Sequence, residues 1–279
     1  MSVNTQIVGL KRNTIDKYYT NPNVANLCID KIMEYLSPNK EDLLIEPSAG
    51  NGSFIKGMKE ISNRCEFYDI EPENSEIIKQ DYMALNIERL LNETNLIHVI
   101  GNPPFGRQSS MAIKFIKHSS KFANSISFIL PKSFKKDSMQ KHFPLVFHLI
   151  FEQDIEENGF LVDDNVYDVP CVFQIWQRKG ENRSVSEKLI PKGFQFVKKS
   201  ENPDIAFRRV GVYAGNIFKD DIENKSEQSH YFIKFNKKMS DELFEKLNNL
   251  EFPGRNNTVG PRSISKQELI RNYNSILPS

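Results

Sequence analysis

Between Asn23 and Leu36 the apolar side chains Val24, Leu27, Cys28, Ile32, Tyr35 and Leu36 recur at the interval of one helical face, behind Asn21 and Asn23, residue types that cap helix starts. This spacing predicts an amphipathic helix. The run Asp42 to Glu46 (DLLIE) is apolar over too few positions for a helix and stops at Pro47, which predicts a short buried strand; GSFIKGMKEI from Gly52 returns to helical spacing. Further strands are predicted at CEFYDI (65–70), at EIIKQD (76–81), and at NLIHVIG (95–101), which runs into two prolines. After a helix from Ser110 to Phe122, strands follow at Ser125 to Leu130, Leu145 to Glu152 and Val169 to Arg178.

Seven strands alternating with helices over about 180 residues predict an α/β, Rossmann-like, mostly parallel sheet covered on both faces. The last two strands lack a convincing helix between them and can pair antiparallel at one edge. Residues 181–279 are more polar and basic. FQFVKK, FRRVGVYAG and SHYFIKF read there as short strands and MSDELFEKLNNL as a helix. The expectation is a first domain over 1–180 and a small α+β C-terminal module over 181–279.

Composition narrows the class. Of 279 residues, 39% are hydrophobic, enough for a sizeable core, and no run approaches the roughly 18 apolar residues of a membrane span. No membrane partner is expected. The polar Met1 to Lys17 segment has no apolar signal region, and Cys28, Cys65 and Cys171 lack metal-ligand spacing. The expectation is an intracellular, reducing compartment, three core thiols and no metal. The net charge of +1 conceals an asymmetry: residues 1–180 hold 20 Lys and Arg against 23 Asp and Glu, and residues 181–279 hold 17 against 13. Between Phe105 and Phe143 eight cations face the single acid Asp137.

Three motifs carry chemistry. EPSAGNGSF (46–54) follows the first sheet strand, where open α/β sheets bind ligands and glycines let a ligand approach the backbone. It has Gly50 and Gly52, but Ile55 stands where a dinucleotide fingerprint needs its third glycine, which disfavours a pyrophosphate. Asp69 ends the next strand, placed to accept hydrogen bonds from ribose hydroxyls, and Asp81 ends the one after. Together these suit an adenosine-containing ligand without phosphates, such as S-adenosylmethionine.

The third motif is Asn102-Pro103-Pro104-Phe105. Its prolines fix the backbone so that the Asn102 carboxamide and the Pro103 carbonyl form a preorganised acceptor pair. An amine conjugated to a purine is a poor nucleophile. Acceptors on its two N–H groups favour pyramidalisation and aim the lone pair at an electrophilic methyl group, while Phe105 can stack on the ring. Such chemistry needs alignment and electrostatics rather than a dedicated base.

The order YYTNPNVA, EPSAGNGSF, NPPF resembles the class I S-adenosylmethionine-dependent methyltransferases, in particular the amino-methyltransferases acting on adenine N6 in nucleic acids, over roughly residues 15–178. It looks like the gamma arrangement of the DNA enzymes. The resemblance implies that Tyr19, Thr20 and Pro22 fold over the methionine part of the cofactor, although Asn21 interrupts the usual Thr-Pro pair. It further implies that Glu46, Gly50 and Gly52 form the cofactor loop, that Asp69 binds ribose, and that Asp81 and Tyr82 hold the cofactor's adenine. Asn102, Pro103, Pro104 and Phe105 become the catalytic target-base site, and SISFILPKSF resembles the strand and loop that follow it. A second aromatic that sandwiches the base is expected at Tyr167 or Phe160. The short C-terminal module suits accessible targets.

With a nucleic-acid substrate implied, the basic residues gain a role. Arg107 follows the catalytic turn, and Lys132, Lys135 and Lys136 follow the fifth strand, where phosphates would lie. Arg208 and Arg209, interleaved with Tyr213, His230 and Tyr231, can hold an unstacked strand. The reading is adenine-N6 methyl transfer, with DNA favoured over RNA. RNA adenine-N6 transfer, protein glutamine-N5 transfer and a non-catalytic nucleic-acid-binding subunit remain alternatives.

Overall fold

The computed structural model describes residues 19–155, 159–162, 165–185 and 187–277, with the backbone alone at 162 and 165–167. It divides into two compact units. The first takes residues up to Leu130 and His142–Glu181; the second takes Pro131–Lys141 and Asn182 onward.

The first unit opens with β1 (Tyr19–Thr20) and α1 (Pro22–Leu36). Asn21 starts α1 by accepting from the Asn23 N–H at 3.0 Å, Pro22 occupies a position whose N–H has no helical partner to lose, and Ser37 ends it in the left-handed region. Ala25, Cys28, Ile29 and Ile32 form its buried face. There follow β2 (Leu43–Glu46), α2 (Ile55–Ile61), β3 (Arg64–Asp69), β4 (Ile78–Lys79), α3 (Ile87–Leu91), β5 (Ile97–Gly101), α4 (Ser110–Ser119), β6 (Ser125–Pro131), α5 (Asp137–Gln140, second unit), β7 (Phe147–Asp154), β8 (Phe160–Val162), β9 (Asn165–Tyr167) and β10 (Cys171–Arg178).

Seven of these form one sheet in the order β4-β3-β2-β5-β6-β10-β7, with β2, β3, β4, β5 and β6 pairing in parallel and β10 antiparallel to β7. Every residue of β2, β5 and β6 is buried, as expected of central strands covered on both faces, whereas the two residues of edge strand β4 are exposed. The seven strands fall where the apolar runs place them. Strand order reverses beside β2, so the crevice outside the carboxyl ends of β2 and β5 is the place for a ligand.

A second sheet, β1-β8-β9, has no counterpart in the sequence reading, its strands being two or three residues long. Cys28 and Cys171 are core thiols, and Cys65 sits at the core's edge, half-buried. No helix among the described residues is long and apolar enough to cross a membrane.

The second unit holds an antiparallel sheet β11-β14-β12-β13, built from β11 (Phe194–Val197), β12 (Ile205–Arg208), β13 (Ile217–Phe218) and β14 (His230–Phe235). Leu247 of α6 (Asp241–Asn248) and Leu269, Ile270 and Tyr273 of α7 (Lys266–Asn274) close its core with Phe194, Phe207 and Ile233. Two expectations change here. Only the first residues of FRRVGVYAG belong to a strand, because the chain leaves β12 at Arg208 and turns through Gly211 at φ 101°. The basic segment 131–141, placed by sequence in the first domain, groups with the second unit, where Lys136 Nζ donates to the carbonyl and hydroxyl oxygens of Ser263 at 2.9 and 3.1 Å. That transfer sharpens the charge separation. The second unit carries 21 Lys and Arg against 13 Asp and Glu, a net of +8, and the first 16 against 23, a net of −7.

Candidate active site

Glu46, Asp69 and Gly101 are the last residues of β2, β3 and β5, and the chain beyond each opens into one cleft of about 400 Å³. Parallel register makes this so, since it delivers the three carboxyl ends to the same edge.

The loop after β2 is held against β3. Asp69 accepts from the Gly50 N–H through Oδ2 and from the Glu71 N–H through Oδ1, both at 2.8 Å, and the Ala49 N–H donates to the Tyr68 carbonyl at 2.9 Å. Both glycines have positive φ, 55° at Gly50 and 92° at Gly52. At Gly52 a Cβ would stand 2.6 Å from Ile55 Cδ1, and at Gly50 it would press on the Tyr19 ring at 3.2 Å. Only glycine leaves this backbone open without strain. Ile55 itself is buried in the core, so the third position of a dinucleotide fingerprint is a packing residue here.

Tyr19 lies over this loop and donates its hydroxyl hydrogen to Glu73. The Thr20 carbonyl accepts from the Ser53 hydroxyl at 2.8 Å, which ties β1 to the turn before α2. Glu46 is 2% exposed, and its Oε2 is buried without a hydrogen-bond partner. Burial, reinforced by the negative charge of Asp69, holds this carboxyl well above the usual carboxylate range. A small adjoining cavity of about 30 Å³ brings Glu46 together with Tyr19, Ser48 and Asn102.

Across the cleft, Asp81 accepts from the Met83 N–H at 2.9 Å, starting a 3-10 turn that buries Tyr82. The Tyr82 ring stacks on Phe115 at 5.4 Å and its hydroxyl shares a 2.8 Å hydrogen bond with Ser119, so it forms the cleft's floor. Ile70 and Met83, which the sequence reading passed over, also line the cleft. Ile70 is 55% exposed directly after the acid that ends β3, an unusual place for a large apolar side chain and the one signal that could have marked it.

Asn102, Pro103, Pro104 and Phe105 all line this same cleft. The Asn102 carbonyl accepts from the Ser48 hydroxyl at 3.1 Å, which links the turn to the loop after β2, and its Oδ1 is buried. Phe105 packs against the core edge, and its carbonyl accepts from the Met111 N–H at 3.1 Å. Gln108 and Ser109 follow with φ of 53° and 61°, left-handed conformations that L residues hold only where the surroundings impose them. Arg107 is exposed beside this turn, and Lys114 lines the cleft.

Other expected residues lie elsewhere. Phe160 is fully buried in the core of the first unit, paired through β8 to Thr20, so it cannot sandwich a base; the Tyr167 side chain lies outside the described residues. Lys132, Lys135 and Lys136 are half-buried members of the second unit. Arg208 and Arg209 brace the same unit, with Arg208 Nε donating to the Val210 carbonyl and Arg209 Nη2 to the Gln228 carbonyl, both at 2.8 Å.

The donor set fits S-adenosylmethionine. Asp69 and Asp81 offer acceptors beside the apolar wall of Ile70 and Met83, suited to an adenosine, and the orphaned Glu46 Oε2 suits an ammonium group. The Rossmann-like sheet and the cleft at its carboxyl edge together make up the architecture of a class I S-adenosylmethionine-binding domain. The chain belongs to the EDM2 methyltransferase-like domain family, whose model matches residues 37–179. Protein ENHANCED DOWNY MILDEW 2 of Arabidopsis thaliana is 24% identical over 204 residues, a match covering 64% of this chain and 15% of that protein. The chain thus corresponds to a small part of that relative.

The chain is also partly similar to solved structures. One from Pyrococcus horikoshii, described as an RNA methyltransferase, is 15% identical over 61% of this chain and 93% of its own, with a TM-score of 0.46. The 23S rRNA methyltransferase ErmE is 12% identical over 59% and 71%, with a TM-score of 0.43.

Proposed function

We propose that this protein transfers a methyl group to the N6 amine of adenine in nucleic acid. The observation that carries the reading is the placement of Asn102, Pro103, Pro104 and Phe105 in the same cleft as Asp69 and Asp81. A cofactor held by the acids and a planar amine held by the proline-locked turn would meet in one cavity.

The bound cofactor supplies an electrophilic methyl group on a sulfonium. The chain's own residues do the rest. The Asn102 carboxamide oxygen and the Pro103 carbonyl accept the two N–H bonds of the amine, hold it against its preference for planarity, and aim its lone pair into the cleft. Phe105 stacks on the purine. The amine becomes acidic as its bond to carbon forms, so its proton can pass through an accepting oxygen to water without a dedicated base. The Ser48 hydrogen bond to the Asn102 carbonyl keeps the turn in register with the cofactor loop.

Nucleic acid is favoured as the carrier of the adenine by the exposed Arg107 and Lys114 at the cleft and by the +8 charge of the second unit. The same basic residues disfavour a protein glutamine as the acceptor. The order of the motifs makes DNA the first polymer to test and RNA the second. Tritium transfer from labelled S-adenosylmethionine to DNA, total RNA and protein, followed by nucleoside analysis, tests the reading. Label in N6-methyladenine supports it; label confined to any other product overturns it.

A further inference from the structure

We propose that the loop from Val210 to Gly215 is a nucleobase-contact surface, on which Tyr213, with Val212 beside it, stacks against an unpaired base of the bound strand. The inference rests on the nucleic-acid reading above and names a contact that reading leaves open.

Val212 and Tyr213 are 76% and 67% exposed, two large apolar side chains side by side in the second unit. The frame beneath them is tied down, so the exposure does not come from fraying. The Gly211 N–H donates to the Arg262 carbonyl at 2.9 Å, the Ala214 N–H to the Gly211 carbonyl at 3.0 Å, and the Gly215 N–H to the Arg208 carbonyl at 2.8 Å. Val210 bridges Ser263, and Ala214, at 1% exposure, plugs into the core. The Arg208 guanidinium packs beneath Gly211, where a Cβ would meet its Nη2 at 3.3 Å. An aromatic presented on a rigid turn loses little freedom when it binds, which is the condition for a useful stacking platform.

Charge selects the partner. The loop's supports are themselves cationic: Arg208, Arg209, Arg255 and Arg262 hold or adjoin it, and Lys136 reaches the same Ser263 that pairs with Val210. A polyanion whose units each carry a flat π-face satisfies both features at once, and a single-stranded or locally opened nucleic acid is that polymer. A purely apolar protein surface would leave the cations unmatched.

The test uses the full chain and single-stranded DNA and RNA 20-mers carrying one 2-aminopurine, whose fluorescence falls on stacking. Wild type should quench the probe. Tyr213→Ala should lose the quenching and weaken binding by roughly 5- to 150-fold, the range for one lost base–aromatic stack, while Tyr213→Phe retains both. Calorimetric affinity for S-adenosylmethionine should be unchanged in either variant, which shows that the first unit is intact. If Tyr213→Ala quenches, binds and methylates as wild type does, the stacking surface is overturned while the proposed function stands. If wild type neither binds nor methylates nucleic acid, the function itself fails. If Tyr213→Ala instead converts a wild-type dimer to monomer in sedimentation without altering quenching, the loop is a self-association surface and the inference is overturned.

Discussion

Glu46 and Asp69 end neighbouring parallel strands, and the charge on Asp69 adds to burial in keeping the Glu46 carboxyl protonated above its ordinary range. A raised carboxyl binds more protons folded than unfolded, so stability falls as pH rises from the unfolded value of about 4.3 toward the folded one. Glu46→Gln, which cannot ionise, should therefore raise the melting temperature of the ligand-free protein at neutral pH, by roughly 2–4 °C per kcal/mol recovered, and leave it unchanged near pH 4. It should also weaken S-adenosylmethionine. Calorimetry in buffers of different ionisation enthalpy should find proton release on cofactor binding in wild type and none in the variant. Equal proton release in both would remove Glu46 from the cofactor's cationic end.

The turn after β5 separates binding from chemistry. Asn102→Ala removes one of the two proposed acceptors from the amine but touches none of the acids across the cleft, so turnover should fall by about 10²- to 10³-fold, the scale for one lost preorganised hydrogen-bonding group. Cofactor affinity should stay within a factor of about two, because that change is small beside the 1.4 kcal/mol that corresponds to tenfold. A comparable loss in affinity would mean that Asn102 belongs to the cofactor's shell instead.

Much of this site is legible before folding because its parts are local. A proline-locked tetrapeptide and a Gly-rich turn each impose their own backbone, and parallel strands then carry them to one edge. What escaped the reading depends on contacts far apart in sequence. Strand β1 has two residues and exists through pairing with β8, about 140 positions away. Segment 131–141 follows the fifth strand of the sheet yet is claimed by Ser263. Phe160 carries the same side chain as a base-stacking residue, and only packing shows that it is core. Val210–Gly215 has strand-like residue types, yet its positive-φ glycines turn it into a loop.

Gly52 offers a test of backbone rather than side-chain chemistry. Its φ of 92° is one that L side chains rarely adopt, and an added Cβ would collide with Ile55 Cδ1, a core atom with little room to retreat. Gly52→Ala should destabilise the protein by about 1–3 kcal/mol through backbone strain and weaken cofactor binding as the loop shifts. Gly50→Ala meets only the Tyr19 ring at 3.2 Å. Gly50→Ala/Tyr19→Ala should relieve that contact but not the strain of φ 55°, so thermal melts of the three variants should show partial recovery at position 50.

At the opposite end of the strands, His98 lies between Ser125 and Asp42, with Nδ1 2.7 Å from the Ser125 hydroxyl and Nε2 3.3 Å from Asp42 Oδ2. A neutral ring that donates from Nε2 and accepts at Nδ1 satisfies both neighbours. Burial lowers the His98 pKa, and the attraction of Asp42 only partly offsets this. Its sign is opposite to that of Glu46. Because the unfolded chain takes up the proton first, the stability that His98 contributes is present above about pH 6.5 and is lost as pH falls toward the folded value. His118 and His230 are depressed by burial as well, so the wild-type slope is a sum. The slope has a ceiling of about 1.4 kcal/mol per pH unit for each histidine. His98→Gln should lower stability at pH 8 by roughly 1–3 kcal/mol, the cost of disturbing a buried hydrogen-bonded pair. It should also flatten the wild-type decline between pH 6.5 and 5, and urea unfolding at closely spaced pH values would register a parallel decline in both proteins if His98 did not titrate.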